Sequence, residues 1–244
     1  MTDNIIFGIY PVLEALRNGK DIDTLYIRQK LVGENTEEIV SLARDLQVPV
    51  HRVPPEKLNR MVRGNNQGVV AIMAQVVYSA VDEIVMNVFE QGKNPFIVVL
   101  DGITDVRNFG AIARSAECAA ADCVVFSEKN AAPVNSVSMK ASAGALSHIP
   151  VARVSSLVNT VKNLKDLGLK IIAVTEKANA PYYNFDFLQP MALVLGSEDE
   201  GIGPTLLHQC DESIAIPMKG KVQSLNVSVA AGIVFFEALK QRGI

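Results

Sequence analysis

The chain has 244 residues, of which 49% are apolar and 20% charged, and its net charge is −3. These values are typical of a globular protein with one large domain or two smaller ones. The amino terminus lacks a basic segment followed by a long apolar one, and no apolar run approaches the ~20 residues that span a bilayer. We therefore expect a cytoplasmic protein without a signal peptide or membrane segment. Nucleic-acid binders usually have a basic surplus, so any RNA contact here requires a local patch.

The three cysteines carry no recognisable site. Cys118, Cys123 and Cys210 are odd in number and lack the CxxC or Cys/His spacing of a zinc site. We predict that they are buried thiols in a reducing compartment and that the protein has no metal site.

Residues 1–78 alternate between helical and extended patterns. Helices are predicted over residues 8–17, 36–46 and 56–62, and strands over 24–28, 49–53 and 69–77. Thr36 is expected to open the second helix, because two acidic residues follow it in the first turn. This alternation indicates a compact α/β domain.

A polar turn lies between the third helix and the last strand of this domain. It carries Arg60, Arg63, Asn66 and Gln67 near glycines. Arginine, asparagine and glutamine side chains suit hydrogen bonds to phosphates and base edges, so these four residues are candidates for RNA contact. A solvated loop is the alternative interpretation.

A second domain is predicted over residues 95–244, after a linker over 79–94 that contains a short helix. Short apolar runs predict buried parallel strands over 96–100, 123–126, 170–174, 192–195 and 213–216. Helices are predicted between them over 110–120, 136–143, 155–167 and 204–209. This order indicates a doubly wound parallel sheet, in which ligands bind at the carboxyl ends of the strands.

Two of these strand ends carry unusual loops. After the first strand, Asn108 is placed to cap a helix, and Arg114 follows among small residues, either as an anion clamp or as a solvated side chain. Residues 195–204, LGSEDEGIGP, contain three acids and match neither a Walker A loop nor GxGxxG, which disfavours a nucleotide-phosphate site. We expect Glu198 to pair with Arg114.

The stretch from Ile216 to Lys240 reads as a strand end, a polar loop and a helix. Ser224 or Asn226 is predicted to be the N-cap, because a short side-chain oxygen accepts from the free amides of the first turn. Apolar residues at helical spacing predict the buried face, namely Leu225, Val229, Ile233 and Phe236. Gly232 indicates close packing in this helix.

Three segments together resemble the SpoU/TrmH family of the SPOUT superfamily, which are RNA ribose 2′-O-methyltransferases. They are NFGAIARSA from Asn108, LGSEDEGIG from Leu195, and the stretch from Ile216 through Ser224-Leu-Asn226. Phe7-Gly-Ile-Tyr and Asn66-Gln-Gly-Val-Val also resemble the substrate-binding domain of the branch that methylates a guanosine of 23S rRNA.

The resemblance implies a trefoil-knotted, parallel-sheet C-terminal domain that binds S-adenosylmethionine and forms a homodimer, joined to a small N-terminal α/β substrate-binding domain. It assigns cofactor contacts to the knot loops, at Thr175, Gly196, Ile216, Ser224 and Leu225. It assigns functional roles to Asn108, Arg114, Glu198, Ser224 and Asn226.

The resemblance favours RNA as the substrate, with 23S rRNA ahead of tRNA because tRNA ribose methylators of this family usually lack the extra N-terminal domain. Arg114 is expected to clamp an RNA phosphate, because a guanidinium stays protonated and is therefore a poor proton acceptor. A non-catalytic RNA-binding module and a dehydrogenase are the competing classes. The complete motif residues disfavour the first, and the missing GxGxxG disfavours the second.

Overall fold

The computed structural model describes residues 4–129, 131–132, 134–222 and 224–243. The chain divides into two compact units, Met1–Val77 and Tyr78–Ile244. Each unit has its own sheet and its own apolar core.

The N-terminal unit is a four-stranded sheet in the order β1-β4-β2-β3. Its strands are β1 (Ile5–Phe7), β2 (Ile22–Arg28), β3 (Val50–Val53) and β4 (Val69–Met73), and its helices are α1 (Ile9–Arg17), α2 (Glu34–Asp45) and α3 (Pro55–Met61). Only β2 and β3 pair in parallel. Side chains alternate along β2, so Leu25 and Ile27 pack with α1 and α2 while Tyr26 packs on the α3 side. This arrangement leaves β3 at one edge of the sheet.

Two features of this unit differ from expectation. Strand β1 was not predicted, since three residues are too few to show a period, and it forms by pairing Ile5 with Ile72 of β4. The prediction that Thr36 opens the second helix is wrong. The chain turns at Gly33 with φ of 137°, α2 begins at Glu34, and Thr36 is buried inside it.

The second unit contains a seven-stranded sheet whose strand pairs are all parallel. Its order is β7-β6-β5-β10-β8-β11-β9. The strands are β5 (Phe96–Leu100), β6 (Cys123–Ser127), β7 (Val151–Val154), β8 (Lys170–Val174), β9 (Ala180–Pro181), β10 (Met191–Leu195) and β11 (Glu212–Ala215). The mixed α/β class with a parallel sheet is therefore confirmed. The trefoil knot stays a prediction.

Helices cover both faces of this sheet. They are α4 (Val81–Glu90), α5 (Val106–Cys118), α6 (Ser136–Ala141), α7 (Leu157–Asp166), α8 (Pro204–Leu207) and α9 (Val227–Arg242). Helices α4, α7 and α8 pack on one face, so the helix of the segment predicted as a linker belongs to this core. On the other face α9 meets the sheet where Phe235 packs edge-on against Phe96 at 5.7 Å between ring centroids.

Strand β7 was missed because a charge interrupts its short apolar run. Arg153 lies in this edge strand, and its guanidinium sits 4.3 Å from the centre of the Tyr78 ring. The ring of Tyr78 thus stabilises the Arg153 cation at the edge of the sheet, whereas a strand in the buried centre could not accommodate this charge.

The end of α9 is fixed by a single arginine. The Arg242 guanidinium donates to the carbonyls of Phe187, Asn94 and Gln189 at 2.7 to 2.8 Å. These bonds tie the helix to the segments that lead into β5 and β10. Because the C-terminal end of α9 is held in this way, the position of its N-terminal end is also constrained.

The cysteines divide by position. Cys123 is buried, and burial raises the pKa of its thiol to about 12. Cys118 is exposed, so its predicted burial is wrong; it lies at the solvent-facing end of α5. Within the described ranges, no helix combines the length and apolar character that a bilayer crossing requires.

Candidate functional site

A pocket opens at the carboxyl ends of β8, β10 and β11. Its walls come from residues 174–176, from the loop after β10, from Ile216 and Met218, and from the start of α9. Parallel strands deliver their following loops to one edge of the sheet, which explains why segments distant in sequence meet here. The pocket brings together all five residues predicted to hold a cofactor, namely Thr175, Gly196, Ile216, Ser224 and Leu225.

The loop after β10 folds tightly on itself. Ser197 and Gly201 exchange backbone hydrogen bonds of 3.2 and 3.0 Å. A Cβ on Gly196 would lie 2.0 Å from the carbonyl carbon of Gly201, so only glycine fits there. The loop is also tied to β5, because Asp101 Oδ2 accepts from Gly203 N at 2.8 Å. Gly196 is thus required by the loop's own backbone.

Glu198 is the centre of the polar side chains beside the pocket. Its Oε1 accepts from Asn108 Nδ2 at 2.9 Å, from Val227 N at 3.3 Å, and from Asn226 Nδ2. Asn226 Nδ2 also donates to Asn108 Oδ1 at 3.1 Å. One carboxylate therefore joins α5, the loop after β10 and the start of α9. We call these two carboxamides and the carboxylate that joins them, namely Asn108, Asn226 and Glu198, the carboxamide triad.

The prediction that Asn108 caps its helix is wrong. Helix α5 begins at Val106, and its N-cap is Asp105, whose carboxylate accepts from Arg107 N at 2.7 Å. The cap lies three residues earlier than expected, which frees the Asn108 side chain for the carboxamide triad.

The prediction of an N-cap at Ser224 or Asn226 is confirmed for Asn226. Its Oδ1 accepts from Ser228 N at 3.0 Å while its Nδ2 donates to Glu198. One side chain therefore both caps α9 and joins the carboxamide triad. Ser224 is exposed and lines the pocket.

Arg114 lies outside the carboxamide triad. Among the residues that the structure describes, no hydrogen bond or ion pair joins Arg114 to Glu198, so the predicted pairing is wrong. Asn108 and Arg114 are six residues apart, which separates them by about 120° around α5 and about 9 Å along it. Arg114 is exposed, and its exposed neighbour one heptad earlier on the same face is Arg107. Arg107 was not among the predicted site residues, although its seven-residue spacing from Arg114 can be read from the sequence.

The side chains that line the pocket are mostly apolar and include two acids. Seven of its lining side chains are aliphatic: Val174, Leu195, Ile202, Ile216, Leu225, Val227 and Ala230. Glu176 and Glu198 are the charged side chains among its described lining residues, and none of these is lysine or arginine. Such a lining suits a nucleoside with a positive centre and does not suit a polyphosphate.

The polar turn of the N-terminal unit divides into structural and exposed residues. Asn66 is buried, donates to Asn59 Oδ1 at 3.0 Å and accepts from Gly68 N at 2.9 Å. Gln67 Oε1 accepts from Ile9 N at 2.9 Å. These two side chains shape the turn, and Arg60 and Arg63 remain exposed.

Two family models match the chain. The SpoU rRNA Methylase family matches residues 95–236. The model "RNA 2′-O ribose methyltransferase substrate binding" matches residues 5–79. The first covers the parallel-sheet unit with the pocket and the carboxamide triad, and the second covers the N-terminal sheet.

Similar proteins extend over nearly the whole chain. YacO of Bacillus subtilis, named as a member of the TrmH family of tRNA/rRNA methyltransferases, is 35% identical over 97% of this chain and 95% of its own. A TrmH family relative in Staphylococcus aureus is also 35% identical, over 99% of this chain and 98% of its own.

Solved structures share the fold. AviRb of Streptomyces viridochromogenes, a SpoU methyltransferase solved with its cofactor AdoMet, is 26% identical with a TM-score of 0.62 and covers 98% of this chain and 90% of its own. An AdoMet-bound rRNA methyltransferase of Sinorhizobium meliloti is 26% identical with the same TM-score of 0.62, covering 97% and 87%. These similarities, together with the two family models, show that the chain belongs to the SpoU/TrmH family of RNA methyltransferases.

Proposed function

We propose that this protein transfers the methyl group of S-adenosylmethionine to a ribose 2′-hydroxyl of RNA, with a guanosine of 23S rRNA as the target. The pocket at the carboxyl ends of β8, β10 and β11 carries the proposal, because its described lining is apolar, acidic and free of basic side chains. The AdoMet-bound structures of AviRb and of the S. meliloti enzyme support the choice of cofactor.

The pocket fits the parts of S-adenosylmethionine. Leu195, Ile216 and Leu225 offer apolar walls for the adenine, and the backbone at Gly196 is within the lining. Glu176 and Glu198 provide negative charge for the sulfonium. When bound, the cofactor supplies a methyl group that is already activated for transfer.

The protein must then position the ribose. We assign this role to Ser224 and to the carboxamide triad, which lies beside the pocket and holds its amides at fixed positions through Glu198. Correct alignment of two reacting groups lowers a barrier by several kcal/mol, up to about 7 to 11 in ideal cases. The hydrogen bonds of the carboxamide triad are already formed before the substrate binds, so the triad can supply that alignment without rearranging.

We assign Arg114 to the binding of an RNA phosphate. Its exposed position on α5, without a carboxylate partner among the described residues, leaves its fork of donors available. Arg107 lies about 10 Å away along the same face and extends the positive stripe along the helix. Near-normal turnover of Arg114→Lys at saturating RNA and cofactor would contradict a bidentate clamp.

A homodimer through α9 completes the proposal. One face of α9 is buried within the unit, at Val227, Ala231, Val234, Phe235 and Ala238. A second apolar face is open, with Val229 50% exposed and Phe236 49% exposed. A helix that is apolar all round requires a second partner. Phe236→Glu should therefore give a monomer in sedimentation, and a wild-type chain that sediments as a monomer contradicts the dimer.

The choice of rRNA rests on the N-terminal unit. The rRNA methyltransferase of S. meliloti matches 97% of this chain, whereas the tRNA modifying enzyme of A. aeolicus matches 66%. Methylation of a tRNA ribose is the second candidate, because the curated relatives are named for tRNA and rRNA together. Mapping 2′-O-methyl sites in cells with and without the gene decides between them: a site lost from tRNA alone overturns the rRNA assignment.

Calorimetry tests the cofactor assignment. The chain is titrated with S-adenosylhomocysteine and, as the matched control, with NAD, which carries two phosphates. We expect binding of the first and none of the second, since the described lining offers a diphosphate no basic group. Binding of NAD alone would contradict the cofactor assignment.

A further inference from the structure

Two rings form a stacked pair at the edge of the N-terminal sheet. Tyr26 of β2 and His51 of β3 are cross-strand neighbours in the parallel register. Their ring centroids are 5.5 Å apart and their planes are inclined by 27°. Because β3 is an edge strand, His51 is exposed while Tyr26 is half-buried. We call this pair the ring stack.

One cation contacts the ring stack, and two more follow it along the chain. Lys57 Nζ of α3 lies 5.0 Å from the centre of the Tyr26 ring. Arg60 follows one turn later on the same helix and Arg63 just beyond it, and all three side chains are exposed. Glu56 is the single acid of α3, and the carboxylate of Asp23 is buried and accepts from Thr24 Oγ1 at 3.1 Å. The exposed charge beside the rings is therefore predominantly positive.

Core packing does not account for His51. The small cluster beneath α3 is built from Val53, Leu58, Val62 and Val70, and Tyr26 packs against it. His51 is stacked on the outside of Tyr26 and adds no member to that cluster. An exposed aromatic ring flanked by cations is the arrangement with which proteins hold unpaired bases, one stacking on the ring while phosphates meet the charges.

We propose that the ring stack is a docking site for an unpaired base of RNA, which stacks on His51 while Lys57 and Arg60 bind the adjacent phosphates. This inference rests on the proposed function and deepens it, since it specifies single-stranded RNA as what the N-terminal unit recognises. Duplex RNA buries its bases, so it offers nothing to stack on the ring.

Fluorescence anisotropy of the full-length chain tests the stack. The probes are a fluorescein-labelled twelve-residue oligoadenylate and the same strand annealed to oligouridylate, at fixed low salt. His51→Ala should weaken binding of the single strand about 5- to 100-fold, because one base stack is lost. His51→Phe, which keeps a ring, should stay within about twofold of wild type. Lys57→Ala should weaken binding, whereas Arg44→Ala, an equal charge change on the exposed surface of α2, should not.

A fluorescent reporter tests contact directly. The chain contains no tryptophan, so His51→Trp introduces a single indole at the stack. Saturating oligoadenylate should quench the emission of that indole, and Arg44→Trp on the opposite side of the sheet should show no quenching. Unchanged emission of H51W at saturation overturns the proposal.

The remaining outcomes are separable from the enzymatic assignment. Wild-type affinity in His51→Ala, or equal affinity of the wild type for single strand and duplex, overturns the ring stack even if methyl transfer is found. A chain that binds the single strand through His51 but transfers no methyl group supports the ring stack and contradicts the proposed function.

Discussion

The carboxamide triad of the parallel-sheet unit and the arginines Arg60 and Arg63 of the N-terminal unit are held in opposite ways. In the parallel-sheet unit, Asn108 and Asn226 are bonded to Glu198 and to each other. In the N-terminal unit, Arg60 and Arg63 make no hydrogen bond to any described residue. A bonded cluster has its geometry fixed in advance, as chemistry requires, whereas unbonded cations adapt to a flexible ligand.

The topologies explain this difference. A parallel sheet sends every strand-end loop to one edge, so polar residues far apart in sequence meet and satisfy one another there. In the N-terminal unit, Arg60 belongs to α3 and Arg63 to the segment after it, so neither lies at such an edge, and both are exposed to solvent. Substitutions at Gly196, Glu198 and Asn226 each remove one element of the first arrangement.

Gly196→Ala should have the largest effect. The new Cβ would lie 2.0 Å from Gly201 C and 2.2 Å from Ile202 N, which are backbone atoms that cannot move without opening the loop. We expect a loss of about 3 kcal/mol in the free energy of unfolding and no measurable binding of S-adenosylhomocysteine. Gly220→Ala is the control, since its nearest neighbour would be at 4.0 Å. Chemical denaturation and calorimetry provide both readouts, and wild-type cofactor affinity in Gly196→Ala would contradict this view of the loop.

Glu198→Gln should abolish most of the activity while the chain remains folded. The substitution removes the negative charge that strengthens the three hydrogen bonds to Glu198 Oε1, and it puts an NH2 donor in place of the second carboxylate oxygen, so Asn108 and Asn226 are held less firmly. We expect methyl transfer to slow roughly 10- to 100-fold, because misplacement by about 1 Å costs that much. Glu200→Gln on the same loop is the matched control. Equal rates for the two variants would mean that the carboxamide triad is not needed for catalysis.

Substitutions of Asn226 should separate its two roles. Asn226→Ser keeps an N-cap oxygen and removes the amide that donates to Glu198, whereas Asn226→Ala removes both. Serine should therefore leave the melting temperature near wild type and slow methyl transfer. Alanine should slow it equally and also cost about 1 kcal/mol of stability. Normal activity in the serine variant would mean that Asn226 serves only as the N-cap of α9.

Asp211→Asn should have the smallest effect, confined to acid stability. Burial raises the pKa of this carboxyl, but hydrogen bonds from Lys165 Nζ and Ile171 N, both at 2.8 Å, outweigh burial and lower it. A lowered pKa in the folded state stabilises the protein above the unfolded value of about 3.9, and this contribution is lost as pH falls through the folded pKa. The variant should melt lower than wild type at pH 7 and converge with it in acid. Exposed Asp166→Asn is the control, and parallel curves for Asp211→Asn would rule out the linkage.

The strands that were predicted correctly are those with uninterrupted apolar runs. Strands such as Phe96–Leu100 and Met191–Leu195 are fully buried, so they read as continuous apolar segments. Strand β7 was not predicted because Arg153 interrupts its apolar run. The predicted pairing of Arg114 with Glu198 was wrong because contacts between distant loops cannot be read from the spacing of residues. The predicted buried face of α9 was also wrong in part. Val229 and Phe236 lie on the exposed side of α9, since an apolar helix has no polar face from which periodicity can orient it.

Nucleoside analysis of the reaction product tests the central claim most directly. The full-length chain is incubated with methyl-labelled S-adenosylmethionine and either 23S rRNA or tRNA, and the RNA is digested and separated by mass spectrometry. We expect label in 2′-O-methylguanosine from the rRNA, strongly reduced with Glu198→Gln. Label on a base, or no labelled nucleoside from either RNA, would contradict it.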